Sequence, residues 1–91
     1  MKLNPDYILR NIAGEQVVVP TGQSGQKFNG LITLNSTAVF LWECAEKGMS
    51  RQEMVEKLLE EFDVDEASAV QDVNGFSDML LREGFATEEN S

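Results

Sequence analysis

The side chains able to do chemistry here are few, and their spacing excludes most of the reactions they could support. The sequence has no histidine and a single cysteine, Cys44. A Ser- or Cys-based triad therefore has no imidazole to take the nucleophile's proton. A zinc site of the Cys/His type lacks ligands, and a disulfide within the chain is impossible. Cys44 falls in an apolar helical stretch and reads as a small buried hydrophobe. Gly22 and Gly25 punctuate a loop without the GK[ST] ending and the following helix that a phosphate-binding loop requires. Asp63, Asp65 and Glu66 bring carboxylates together as a calcium loop would, but the central Gly and terminal Glu are missing. The other carboxylates fall mostly on helix faces that solvent should wet. Trp42 sits on a predicted core face, so burial is its expected role. These patterns predict a chain that is not an enzyme and that carries no metal or cofactor.

With 91 residues, 42% of them hydrophobic and 25% charged, the chain has the composition of one small globular domain. Seven basic against 16 acidic residues leave a net charge of −9. Nucleic acid and anionic membrane surfaces are thereby disfavoured as partners, because both are bound through Lys and Arg. The charge serves solubility and biases the chain toward basic partners. No apolar run reaches the length of a membrane span and no signal peptide opens the sequence, so the cytoplasm is the expected compartment.

The elements that must position any site change style near residue 35. Tyr7 to Ile12 reads as a first strand, Ala13-Gly14 as a turn, and Glu15 to Val19 as a second strand stopped by Pro20. Residues 21–27 have the chemistry of a flexible surface loop. Phe28 to Leu34 is a third strand, with Phe28, Gly30, Ile32 and Leu34 facing one way. Asn35 then caps a first helix that runs to about Lys47 and stops at Gly48. Ala38, Leu41, Trp42 and Ala45 form its buried face. Ser50 and Glu53 make a capping box for a second helix, with Met49 stapled onto Met54. That helix should bury Met54, Val55, Leu58, Leu59 and Phe62. Asp65 caps a third helix from Glu66 to Glu83, closed by Gly84 with Phe85 packing back on Leu80. Residues 87–91 read as a polar tail. The fold class is thus α+β: a three-stranded antiparallel sheet followed by three helices, in an arrangement like a winged helix-turn-helix with its wing placed first.

One run within this framework resembles a known family. Leu34-Asn35-Ser36-Thr37-Ala38-Val39-Phe40-Leu41-Trp42-Glu43 is similar to the strand-to-helix junction of the PqqD family, which opens its first helix with Leu-Asn-x-Thr-Ala, apolar residues and a Trp. Phe62-Asp63-Val64-Asp65, the series Val70, Asp72-Val73, Phe76 and Leu80, and Gly84-Phe85 resemble the family's third helix and its ending. Together these cover most of residues 5–86. The 21–27 loop is longer than the family pattern. The resemblance implies a RiPP recognition element: a module that binds the leader segment of a ribosomally made precursor peptide and presents it to a radical SAM (SPASM-type) or other maturase. Members occur free or fused to the enzyme, and both ends of this sequence read as complete, so a free-standing chain is expected.

The resemblance also implies the docking place, the edge of the third strand, here Gly30, Leu31, Ile32, Thr33 and Leu34. A second chain can satisfy such an edge by adding a strand. Backbone pairing tolerates any sequence, so selectivity must come from side chains beside it. On the third helix Val70, Val73, Ser77, Leu80 and Leu81 share one arc, predicted as core, while Ala69, Asp72, Phe76 and Met79 flank it and are predicted to line the groove. Phe76 and Met79 would take apolar leader residues and Asp72 a basic or hydroxyl group. Val73 borders the groove and reads more readily as core, and core is also the competing assignment for Phe76. The same architecture fits a DNA-binding winged helix, which the charge of the third helix opposes. Small size and acidity fit an acyl-carrier protein, which the strands and the missing Asp-Ser-Leu oppose. An exposed edge also permits a weak homodimer beside the monomer.

Overall fold

A computed structural model describes residues 1–21 and 32–88 of the chain. Five strands and three helices follow in the order β1 (Lys2–Leu3), β2 (Tyr7–Ile12), β3 (Glu15–Pro20), β4 (Ile32–Leu34), α1 (Ser36–Glu46), α2 (Arg51–Glu61), α3 (Glu66–Arg82) and β5 (Ala86–Thr87). The expected α+β fold, a three-stranded antiparallel sheet followed by three helices, is present. The 21–27 loop beyond Thr21, and Phe28–Leu31 of the third strand, lie outside the described residues.

The sheet has the order β2-β3-β4. Its hairpin turns through Ala13 and Gly14, both at positive φ, 53° and 86°. That pair of angles belongs to the type I′ turn whose twist matches its strands. Asn11 Oδ1 accepts from the Gly14 N–H at 3.1 Å and steadies it. Glycine adopts this conformation freely, whereas Ala13 is strained by about 1–2 kcal/mol. β3 runs one residue further than expected, because Pro20 still pairs with Tyr7.

Strand pleating divides the sheet into two faces. Val18, Leu34, Ile32, Leu9 and Tyr7 turn toward the helices and join the core. Ile8, Arg10, Ile12, Val17, Val19 and Thr33 turn the other way.

Each helix begins on the cap the sequence announces. Asn35 Oδ1 accepts from the Ala38 N–H at 2.8 Å, and Asp65 Oδ1 from the Ser68 N–H at 2.7 Å. Ser50 and Glu53 form a reciprocal capping box. Gly84, at φ 77°, closes α3 with Phe85 N–H on the Leu80 carbonyl and Gly84 N–H on that of Leu81, the Schellman pairing. Gly48 closes α1 in the same way. Leu41, Trp42, Met54, Leu58, Ala69, Val73, Leu80 and Phe85 fill the core, where Cys44 is also buried. Burial pushes the Cys44 thiol above its ordinary pKa, consistent with an inert packing role.

Three expectations need correction. Leu59 is 36% exposed, since α2 turns its buried face through Met54 and Leu58. On α3 the buried arc is Ala69, Val73, Phe76, Ser77 and Leu80, with Val70 39% exposed, so the helix is rotated from the predicted wheel toward Ala69. Thr87 is not tail. With Ala86 it pairs antiparallel to Lys2–Leu3, a ribbon reinforced by Asn4 N–H on the Phe85 carbonyl at 2.8 Å. This ribbon holds Phe85 against Tyr7 and Trp42, at ring-centroid distances of 4.6 and 6.3 Å.

Two measurements follow from this arrangement. Ala13→Asn, which suits left-handed φ and precedes Gly14, should stabilise the chain by about 1 kcal/mol in urea unfolding. The Ser50 N–H holds the Glu53 carboxyl below the usual range, and the Ser68 N–H does the same for Asp65. Their contribution is therefore complete above the unfolded carboxylate pKa and is lost as pH falls through the depressed folded values. Stability measured against pH should decline on this acid limb. Asp65→Asn, which keeps the cap but cannot titrate, should make the decline shallower.

Candidate functional site

Which backbone groups face outward at the sheet edge follows from hydrogen-bond parity. Thr21 N–H donates to the Asp6 carbonyl at 2.6 Å. Opposed residues of an antiparallel pair alternate between bonded and non-bonded. Given the register, Ile8, Arg10 and Ile12 therefore bond to Val19, Val17 and Glu15. The even positions of β3 are left for β4, so Gln16 and Val18 bond to Leu34 and Ile32. Thr33 must then direct its N–H and C=O away from β3. Among the described residues no strand pairs with this outer side of β4.

A cleft of about 210 Å³ opens where β4 passes into α1, lined by Asn35, Thr37, Ala38, Leu41, Asp72 and Phe76. Asn35 follows β4 directly and lines the cleft, so the cleft begins where the open edge ends, and α3 supplies its far wall. Of β4 itself, Thr33 and Leu34 line the neighbouring wider concavity, whereas β2, the other sheet edge, borders neither. Among the described residues the cleft wall is apolar at Ala38, Leu41 and Phe76, polar at Asn35 and Thr37, and charged at Asp72. A wider concavity of about 670 Å³ lies on the other side of Asn35, between the hairpin turn and α1, with Glu15, Thr33 and Val39 in its lining.

The structure brings some of the predicted residues together here and places others elsewhere. Asp72 is exposed and lines the cleft. Phe76 is 8% exposed, belongs to the core, and also lines the cleft. Ala69 and Val73 are fully buried, so they support the wall from behind and do not face the cleft. Met79 is half-buried against the core and lies outside the cleft lining. On β4, Leu34 is buried, Ile32 half-buried and Thr33 exposed. Gly30 and Leu31 lie outside the described residues. Asn35, Thr37, Ala38 and Leu41 were missed as lining residues. The signal for them was their position, because the first turn of a helix that follows an edge strand without a linker must border that edge.

The polar surface around the site is acidic, and a few of its carboxylates are paired. Arg51 on α2 donates to Asn74 at 3.1 Å, Asp78 at 3.0 Å and Glu88 at 3.3 Å, tying α3 and the segment after β5 to α2. Arg82 lies 3.9 Å from Glu83. These exposed pairs orient side chains more than they stabilise. Among the described residues there is no grouping of three potential metal ligands, and no helix is long and apolar enough to cross a membrane.

Comparisons with known proteins place this geometry. No curated protein sequence matches the chain significantly. Among solved structures, TbiB1 in complex with the TbiA(beta) leader peptide is similar with a TM-score of 0.78 and 21% identity, covering 100% of both chains. A lasso peptide synthetase B1 complexed with the leader peptide is similar with a TM-score of 0.75 and 23% identity, covering 96% of each. At these identities the likeness establishes a shared fold. The family described as coenzyme PQQ synthesis protein D (PqqD) matches residues 7–86, from the start of β2 to the first residue of β5. The three-stranded sheet, the three helices and the cleft they enclose all fall within that span, and the chain belongs to the PqqD family.

Proposed function

We propose that the chain is a non-catalytic recognition module that docks the leader segment of a precursor peptide as an added strand on β4 and presents it to a maturation enzyme. The observation that carries this reading is the outward N–H and C=O of Thr33, two residues before Asn35, at which a cleft walled by α1 and α3 begins. An extended peptide would bond to Thr33 and lay alternate side chains toward the cleft. The two similar structures are described as complexes with leader peptides, which supports a precursor peptide as the partner. The family's association with coenzyme PQQ synthesis fits service to a modifying enzyme. A radical SAM enzyme of the SPASM type is the proposed maturase, the cytoplasm the proposed compartment, and a monomer the proposed working form.

The affinity of such docking is modest by construction. Each backbone hydrogen bond nets about 0.5–1.5 kcal/mol, so the two at Thr33 cannot alone hold a peptide tightly. Burial of one leader side chain in the cleft adds roughly 1.5–3 kcal/mol.

Thr33 permits an unusually clean test. Proline there loses an N–H that the parity directs away from β3, and edge positions of this kind tolerate proline. Leader segments of candidate precursors encoded near the gene would be titrated into the isotopically labelled chain. Amide shifts should concentrate at Ile32–Asn35 and around Asp72–Phe76. Thr33→Pro should weaken binding about tenfold with little change in melting. Unchanged affinity in that variant would remove strand addition as the mode. Phe76→Leu should keep the cooperative fold while altering leader affinity. Phe76→Ala should also destabilise the fold, by about 3 kcal/mol or more, because the ring belongs to the core.

A further inference from the structure

We infer that the cleft between α1 and α3 selects a leader side chain with an aliphatic stem and a cationic head, lysine or arginine. This rests on the docking reading and goes beyond it by naming what the module reads. The volume of about 210 Å³ suits one long side chain, since a cavity of about 150 Å³ already admits a benzene ring. The apolar surfaces of Ala38, Leu41 and Phe76 would take the methylenes of the stem. Asp72, exposed, receives the head while water still reaches it, the arrangement in which long basic side chains bury their stems and keep their charge solvated.

The disposition of the other polar groups favours a cation. Among the described residues, Asp72 is the sole charged one lining the cleft. Elsewhere on α3 the carboxylate of Asp78 is engaged by Arg51 at 3.0 Å, and at the helix end Glu83 lies beside Arg82 at 3.9 Å. Asp72 makes no ion pair or hydrogen bond with any described residue. The Asn35 side-chain oxygen already caps α1 by accepting from Ala38. An ionised carboxylate only accepts, so the incoming group must donate. A tyrosine hydroxyl would donate one proton. An ammonium or guanidinium donates several and adds charge attraction, in a chain whose net charge is −9.

The test is selection of a displayed random dodecapeptide library on the immobilised full chain, in parallel with three variants. The wild type should enrich Lys or Arg at one fixed position within an otherwise β-prone, apolar sequence. Asp72→Asn should lose that preference and keep the rest of the pattern, and Asp72→Lys should exchange it for Asp or Glu. Glu61→Gln, which removes one exposed charge from the end of α2, should leave it intact and so separate local from overall charge. With a selected peptide made synthetically, replacing the basic residue by norleucine should weaken binding roughly fivefold on the wild type, less at high salt, and hardly at all on Asp72→Asn. A fixed apolar or tyrosine position without basic preference, or a basic preference that survives Asp72→Asn, would overturn the inference while leaving strand docking standing. Failure of the wild type to enrich any sequence would overturn the docking reading itself, and this one with it.

Discussion

A two-residue turn governs the chemistry of a sheet edge two strands away. Because Ala13 and Gly14 close the hairpin as a type I′ turn, Ile12 and Glu15 form a bonded pair. Every later position in the sheet inherits its parity from that pair. Ile32 and Leu34 are thereby bonded inward, and Thr33 is left with outward polar groups. The same pleat sends the side chains of Ile32 and Leu34 into the core and that of Thr33 out of it. A slip of one residue would exchange all of these at once, turning Leu34 out of the core and withdrawing the Thr33 groups from the edge. The cost of exposing Leu34 and Val18 therefore defends the chemistry of the edge, although neither residue would touch a ligand.

The cleft depends on how abruptly strand gives way to helix. Leu34 ends β4, Asn35 caps α1, and no linker separates them. The cap fixes the direction of the first turn, and Thr37 and Ala38 in that turn line the cleft. α3 is brought opposite by Ala69, Val73 and Leu80, fully buried within the same core as Leu41 and Trp42. Its far end is anchored through Phe85, which the β1–β5 ribbon and the rings of Tyr7 and Trp42 hold in place. The cleft walls are thus rigid elements, each locked by its own cap and by side chains facing away from the cleft. A site built in this way loses little conformational freedom when it is filled.

Much of this was legible in the sequence, and the gaps have physical causes. Asn35, Ser50 and Asp65 announced their helices because a cap is a local interaction between neighbours, readable without knowing the fold. The β1–β5 ribbon was not legible, since strands of two residues carry no periodicity and Lys2–Leu3 meets Ala86–Thr87 only after everything between has folded. The α3 wheel pointed to a core arc through Val70 because valine outranks alanine in hydrophobicity. The true arc runs through Ala69, which suits a close approach between packed elements and leaves Val70 on the surface. Size, not hydrophobicity, decided that position. The cleft itself could be read only in half: Asp72 and Phe76 lie on the helix that the wheel examined, whereas Asn35, Thr37, Ala38 and Leu41 belong to a helix already assigned to capping and core.

The described end of β4 offers few backbone groups to a partner. A long open edge pairs with any extended chain, copies of itself included, which is why folded proteins keep such edges short or charged. Over its three described residues β4 turns one residue's N–H and C=O outward, at Thr33, and two hydrogen bonds of about 0.5–1.5 kcal/mol each leave side-chain contacts in the neighbouring cleft to decide which chain is held. The described lining of that cleft, three apolar side chains, two polar ones and one carboxylate, offers burial for a hydrocarbon stem and polar groups for its head.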